Sequence, residues 1–172
     1  DEESIYRHST KANYFVYDLN TKRITEVSAN GKQLFADFSP DGNKIAFIRD
    51  NNLFIKDLAV NNEIQITTDG EKNKIKNGWA DWVYEEEFGK AEAFFWNKTG
   101  TKIAFIRYDE TKVKEFEMPM YDGLYPTQYK FKYPKAGEDN SIVSVHIYDL
   151  ATKKATTVDI GNDGDRPVMN AL

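Results

Sequence analysis

The chain of 172 residues carries 23 basic and 28 acidic side chains, a net charge of −5, two histidines and no cysteine, with 40% of its residues hydrophobic and 14% aromatic. This is the composition of a folded chain that can bury one sizeable core. It argues against a nucleic-acid partner, because a phosphate-binding groove needs basic residues concentrated and here they are scattered among more numerous acids. Disulfides and thiolate metal sites are excluded, His8 and His146 match no metal-ligand spacing, and no segment approaches the ~18 apolar residues that span a bilayer.

Taken from its start, the chain opens at Asp1 with neither a methionine nor an apolar leader, the pattern of a processed or excised segment, and gives no address signal. Residues 13–19 and 23–28 are two β-rich runs around the polar turn Asn20-Thr21-Lys22, which predicts a hairpin. Leu34 to Phe38 leads into the turn Ser39-Pro40-Asp41-Gly42-Asn43. Lys44 to Arg49, Leu53 to Leu58 and Glu63 to Thr68 then follow as strands separated by polar breaks, an antiparallel meander.

The pattern recurs. Phe38 to Arg49 is echoed by Trp96 to Arg107, with Gly, Lys, Ile, Ala, Phe, Ile and Arg in register. Val16-Tyr17-Asp18-Leu19 is echoed by Ile147-Tyr148-Asp149-Leu150, and more loosely by Ile55-Lys56-Asp57-Leu58. Self-similarity of this kind marks a repeat of roughly one four-stranded blade per ~40–50 residues, so the fold expected is all-β, a β-propeller of about three blades. The near-continuous apolar runs fit strands covered on both faces, as between stacked blades, with a β-sandwich as the alternative. Three blades are too few to close a ring of the usual four to eight. Residues 1–172 therefore read as a fragment of a propeller domain, an expectation supported by the abrupt ending Arg166 to Leu172 after the turn-rich Gly161 to Gly164.

Two stretches interrupt the repeat. Residues 71–93 lengthen the spacing between echoes, and their composition predicts a short helix around 84–93. Residues 109–140, with Pro119, Pro126, Pro134 and several tyrosines, predict an inserted loop or hairpin projecting from its blade. Insertions on repeat scaffolds tend to carry function. The first holds Glu85-Glu86-Glu87 walled by Trp79, Trp82, Phe94, Phe95 and Trp96, an arrangement that a merely solvated charge run does not need; its natural ligand is a cation.

Asp81-Trp-Val-Tyr-Glu-Glu-Glu-Phe88, Tyr133-Pro-Lys-Ala-Gly-Glu-Asp-Asn140 and Arg7-His8-Ser9, in that family's order along the chain, resemble the propeller domain of the dipeptidyl peptidase IV family of serine exopeptidases. The resemblance implies part of an eight-bladed propeller capping an α/β-hydrolase domain that lies outside this chain. It implies that Glu86 and Glu87 bind the free amino group of a peptide substrate, and that Arg7 reaches a carbonyl oxygen of the same substrate. It also implies an exported location, periplasmic, cell-surface or extracellular.

The chemistry of those roles stands on its own. A peptide α-amino group, with a reference pKa of about 7.7–8.0, is largely protonated at neutral pH and offers three donors around a unit charge. Two adjacent carboxylates match it, and the incoming ammonium removes their mutual repulsion. With the amine fixed, two extended residues span about 7 Å and define which peptide bond is reached.

Plainer readings stand beside these. Glu85 reads as structural, Arg7 competes with a surface arginine near a frayed end, and His8 reads as a packing or hydrogen-bonding residue. Tyr84, Tyr121, Tyr125 and Tyr129 read as packed tyrosines before pocket-lining ones, and Tyr133 to Gly137 as the turn that seats the insertion. Asn97-Lys98-Thr99 matches a glycosylation acceptor but occupies the turn position of Pro40-Asp41.

No serine sits in a Gly-x-Ser-x-Gly elbow, so no catalytic residue is expected in this chain and the fragment alone should be inactive. No metal or cofactor is expected, and no phosphate-cradling loop occurs. The reading is the amine-anchoring propeller portion of a peptidase that removes Xaa-Pro type dipeptides. Its partners would be peptides with a free N-terminus, the enzyme's own hydrolase domain and a homodimer mate contacted through 109–140. The alternatives are a non-enzymatic propeller scaffold and a related peptidase with a different cut position.

Overall fold

The computed structural model of the chain describes residues 2–161. Two short pairs come first, β1 (Glu3–Ser4) with β2 (Thr10–Lys11) and β3 (Phe15–Tyr17) with β4 (Ile24–Glu26). Then β5 (Leu34–Phe38), β6 (Lys44–Arg49), β7 (Asn52–Asp57) and β8 (Asn62–Gln65) form a four-stranded antiparallel meander. A five-stranded sheet follows, built from β9 (Ile75–Asn77), β10 (Phe94–Trp96), β11 (Lys102–Asp109), β14 (Ile142–Asp149) and β15 (Lys154–Thr157). Between β9 and β10 lies α1 (Trp82–Phe88), and between β11 and β14 the hairpin of β12 (Glu115–Met120) and β13 (Thr127–Lys132).

The sequence echoes have a structural cause. Phe38 to Arg49 and Trp96 to Arg107 are the same hairpin in successive sheets, β5–β6 and β10–β11. The Asp of each Tyr/Lys-Asp-Leu echo stands at or just past the end of a strand and accepts two backbone N–H groups of the next turn. Asp18 takes those of Asn20 and Thr21, Asp57 those of Ala59 and Val60, and Asp149 those of Ala151 and Thr152. Each turn closes on a residue in the left-handed region, Lys22, Asn61 and Lys153. By this correspondence β3–β4 is the outer half of a blade, β5–β8 a second blade, and the five-stranded sheet a third.

Burial explains the continuous apolar runs. On β6 and β7, Ala46, Ile48, Leu53 and Ile55 join Phe94, Ile103, Phe105 and Tyr148 of the next sheet in one core. Ile45, Phe47 and Phe54 face the other way and pack with Val27, Tyr14 and Val16. Both faces are therefore covered. Phe47 and Phe54 are cross-strand partners with stacked rings 5.5 Å apart, and the buried Arg49 spreads over Phe54 while bonding Ser28 and Glu63 at 2.6 Å, which fastens the first hairpin to the second sheet. The outermost strands β8 and β15 remain mostly exposed. At the crossing between sheets only a glycine fits, since a Cβ on Gly70 would stand 2.3 Å from the Asn51 carbonyl oxygen.

Several boundaries differ from expectation. The helix occupies 82–88 instead of 84–93, because Asp81 accepts the Tyr84 N–H as N-cap and Gly89, at φ 62°, ends it in the left-handed conformation; Ala93 belongs to the core beneath. The first two strands shrink to 15–17 and 24–26, since Asp18 is already committed to its turn. The strand expected at 63–68 is 62–65, and the Thr67 hydroxyl instead accepts the Leu53 N–H. The inserted 109–140 stretch is a hairpin whose turn exposes Tyr121, Leu124 and Tyr125. Asp1 and the Arg166–Leu172 ending lie outside the described residues.

Glu92, paired in an isolated bridge with Trp79 after the helix, is half-buried, and burial followed by the charge of Asp37 pushes its carboxyl up from 4.5 to about 7. The folded chain holds this proton where the unfolded one has lost it, so the contribution is fully present below about pH 4.5 and disappears as pH rises through about 7. Glu92→Gln should consequently gain stability over wild type as the pH moves from acid to alkaline, read from urea midpoints. A variant-minus-wild-type difference that does not change with pH would contradict this assignment.

Candidate functional site

The helix that carries the glutamates is an excursion from one strand position. β9 and β10 lie end to end along the same edge of β11, β9 paired to Arg107–Asp109 and β10 to Ile103–Phe105, with α1 looping out between them. Its N-cap Asp81 is buried and accepts the Ser141 hydroxyl at 2.5 Å as well as the Tyr84 N–H at 2.9 Å. Ala80, Tyr84, Ala93 and Tyr108 form the small core under it. The other side carries a cluster of tilted and edge-on rings: Trp82 meets Tyr133 at 4.2 Å, and Tyr133 meets Phe116 and Phe131 of the β12–β13 hairpin.

The three glutamates have three different surroundings. Glu85 is buried, and its Oε1 accepts the backbone N–H of His8 at 2.7 Å and of Ser9 at 2.9 Å. Glu86 meets the guanidinium of Arg7, with Nη2 to Oε1 at 2.6 Å and side-chain exposures of 68% for Arg7 and 22% for Glu86. Glu87 is exposed and lines a cleft of about 780 Å³ between the helix and the hairpin, whose other walls include Trp82, Phe116, Met118 and Tyr133. Among the described residues, Arg7 is the one cation paired with Glu86, and none pairs with Glu87.

Arg7 and Glu86 are thus brought together from distant parts of the chain, whereas Glu87, next to Glu86 in the helix, lines the helix–hairpin cleft, to which neither Glu86 nor Arg7 contributes. The last helical turn has no basic residue. Carboxylates there oppose the sign favoured at a helix C-terminus, and Arg7 supplies the cation for Glu86 from another part of the chain. Glu85 is structural, as expected. His8 also acts structurally, through its backbone, with its ring exposed. Tyr84 packs, and Tyr129 donates to the Ile5 carbonyl at 3.1 Å, whereas Tyr121 and Tyr125 are not packed because the hairpin tip extends past the rest of the fold. Tyr133 to Gly137 seats the insertion as expected, with Gly137 at φ 80°. Asn97 is used as a turn residue, accepting from the backbone N–H of Thr101 and Lys102 and donating to the Thr99 and Thr101 hydroxyls.

Sequence reasoning missed Lys76. Its ammonium is buried beside Glu110 and donates to Tyr6 Oη at 2.9 Å and to the Ala80 carbonyl at 3.4 Å. The available signal was a lysine beside Ile75 in a strand preceding the acidic motif. Ser141, holding the N-cap, left no such trace. Among the described residues no group of His, Cys, Asp and Glu could hold a metal, and no helix is long and apolar enough to cross a membrane.

Antiparallel blade-like sheets, with an acidic helix looped from one strand position and an arginine brought to it, define a propeller-type domain. Residues 1–170 match the family model described as "Dipeptidyl peptidase IV (DPP IV) N-terminal region", and the chain belongs to that family. It is 36% identical over 191 aligned positions to a "Probable dipeptidyl-aminopeptidase B" of Chaetomium globosum, covering 100% of this chain and 20% of that protein. A relative of the same name from Talaromyces marneffei is 36% identical over 98% of this chain and 21% of its own. The crystal structure of Porphyromonas gingivalis dipeptidyl peptidase 4 superposes with a TM-score of 0.91 at 48% identity, over 96% of this chain and 24% of that one. The chain therefore spans about a fifth of the length of the curated relatives it matches. The sheets are propeller blades, and among the described residues none closes on itself.

Glu85→Ala would orphan the His8 and Ser9 N–H groups, at about 1–3 kcal/mol for each donor left buried. Glu85→Gln keeps an acceptor at that position and should lose markedly less. Denaturant unfolding of the two variants checks the order, and equal losses would show that the carboxylate charge, not its acceptor geometry, sustains the contact.

Proposed function

We propose that this chain is the amine-anchoring part of a dipeptidyl peptidase, a serine-type hydrolase whose nucleophile lies in an α/β-hydrolase domain beyond these residues. Glu86 and Glu87 receive the protonated N-terminus of the peptide substrate, and Arg7 holds a backbone carbonyl of the same substrate. The observation that carries the reading is the 2.6 Å ion pair between Arg7 and Glu86, with Glu87 next to it in the helix exposed and, among the described residues, paired with no cation. A guanidinium with five donors can keep one oxygen of Glu86 and still present N–H groups to a carbonyl. The ammonium then takes Glu87 and the remaining Glu86 oxygen.

Anchoring by charge makes the enzyme an exopeptidase. An acylated N-terminus loses both the charge and the donors, and a residue deeper in a chain offers neither. The fixed distance from anchor to nucleophile admits two residues, so dipeptides leave, with proline as the penultimate residue favoured by the family and selected in the hydrolase domain. The exposed hairpin tip, with Leu124 at 98% exposure, is the surface we assign to a homodimer contact. An exported location rests on the family resemblance.

The test uses the full-length protein and a Gly-Pro chromogenic substrate in free and N-acetylated forms. Hydrogen bonds to charged groups are worth about 1.5–3 kcal/mol, so Glu86→Ala or Glu87→Ala should each lower kcat/KM for the free-amine substrate by roughly 10- to 150-fold, and the pair by more. The acetylated substrate should be poor for all. Wild-type and double-variant rates that agree would move the glutamates to a structural role and favour a scaffold. Release of products longer than a dipeptide would favour a related peptidase with a shifted cut.

A further inference from the structure

Lys76 takes no part in amine capture as described above, and packing alone does not account for it. Its side chain is 3% exposed and lies over the rings of Tyr6 and Trp79 at 4.6 and 4.0 Å, with its ammonium 3.6 Å from Glu110, itself 1% exposed. Burial lowers the pKa of Lys76, while Glu110 and then Asp81 act to raise it; burial likewise raises that of Glu110. Taking two charges out of water is costly, and an apolar pair of similar volume is often no less stable. What an apolar residue could not supply is donors.

Those donors go to two places. Tyr6, which accepts at 2.9 Å, immediately precedes Arg7, and Ala80, whose carbonyl accepts at 3.4 Å, immediately precedes the N-cap Asp81 of the glutamate helix. A single ammonium on β9 therefore joins the two segments that carry opposite halves of the site. Arg7 is bracketed: Lys76 holds the residue before it and Glu85 the two residues after it. Tyr6 is further fixed by stacking on Trp79, the residue preceding Ala80, with ring centroids 6.1 Å apart.

We infer that Lys76 is a positioning residue for the substrate N-terminus, setting the spacing between the Arg7 guanidinium and the Glu86 and Glu87 carboxylates by holding Tyr6 Oη and the Ala80 carbonyl on one ammonium. The inference rests on the amine-anchor reading. Glu110 acts through Lys76 as its counter-ion.

The experiment measures kcat, KM and melting temperature of the full-length protein for Tyr6→Phe, Lys76→Met and the double variant, on the free and N-acetylated Gly-Pro substrates. Tyr6→Phe keeps the ring over Trp79 and removes only the acceptor. Misplacement of a binding group by about 1 Å can cost up to ~100-fold. We expect KM for the free-amine substrate to rise by about 3- to 10-fold in Tyr6→Phe and by about 10- to 100-fold in Lys76→Met, with kcat and the rate on the acetylated substrate little changed. The double variant should be no worse than Lys76→Met, because both changes break the same contact.

An unchanged KM in Tyr6→Phe, equal losses on both substrates, or additive losses in the double variant would overturn the inference. If Lys76→Met does not fold, Tyr6→Phe alone decides. Glu86→Ala and Glu87→Ala run alongside: if they leave the free-amine preference intact, the anchor reading and this inference fall together. If they abolish it while Tyr6→Phe changes nothing, only the positioning role fails.

Discussion

One carboxylate holds the site together. Glu85 takes the backbone N–H groups of His8 and Ser9 on a single oxygen, across a separation of 77 and 76 residues. Two donors near the chain's beginning would otherwise be left without partners at a helix they cannot reach by any sheet ladder, and buried N–H groups are rarely left so. Both bonds are short, 2.7 and 2.9 Å. The position of Arg7 opposite Glu86 is a consequence, since Arg7 is covalently next to the residue that Glu85 holds. The first member of the acidic triplet is spent on this backbone contact, and the middle member faces Arg7 as a result.

The repeat pattern was legible because the same physics acts three times. Asp18, Asp57 and Asp149 cap equivalent turns, and both faces of β6 and β7 are covered, so composition, echo and burial agree. The extent of the helix was less legible. Glu92 and Ala93 are good helix formers, but the αL conformation of Gly89 stops the helix first, and Ala93 N–H bonds the Gly78 carbonyl to return the chain to the sheet. Propensity counts residues, whereas a cap decides where they stop counting.

Of the candidate site, the motif residues Glu86, Glu87 and Arg7 are nominated from sequence. Their arrangement is not, because nothing in a linear reading shows that Glu85 reaches His8 or that Lys76 reaches Tyr6. Lys76 was hidden for a general reason: a buried charge is identified by its partners, and here those partners, Tyr6 and Glu110, lie far away on either side in the chain. Likewise the tyrosines 84, 121, 125 and 129 share a residue type but divide into two buried or half-buried and two exposed, according to whether a neighbouring element covers them.

The placement of α1 between β9 and β10, which share one edge of β11, gives the helix two anchors on a single strand. Chain leaving the ladder after Asn77 re-enters it at Phe94 in a position fixed by hydrogen bonds on either side, so the excursion spans a gap whose width is set by β11 and not by its own sequence. Such a segment behaves as a cassette. Its inward residues Ala80, Tyr84 and Ala93 are tied to the core, so it is the outward face that can vary while the register of the sheet that carries it stays as it was.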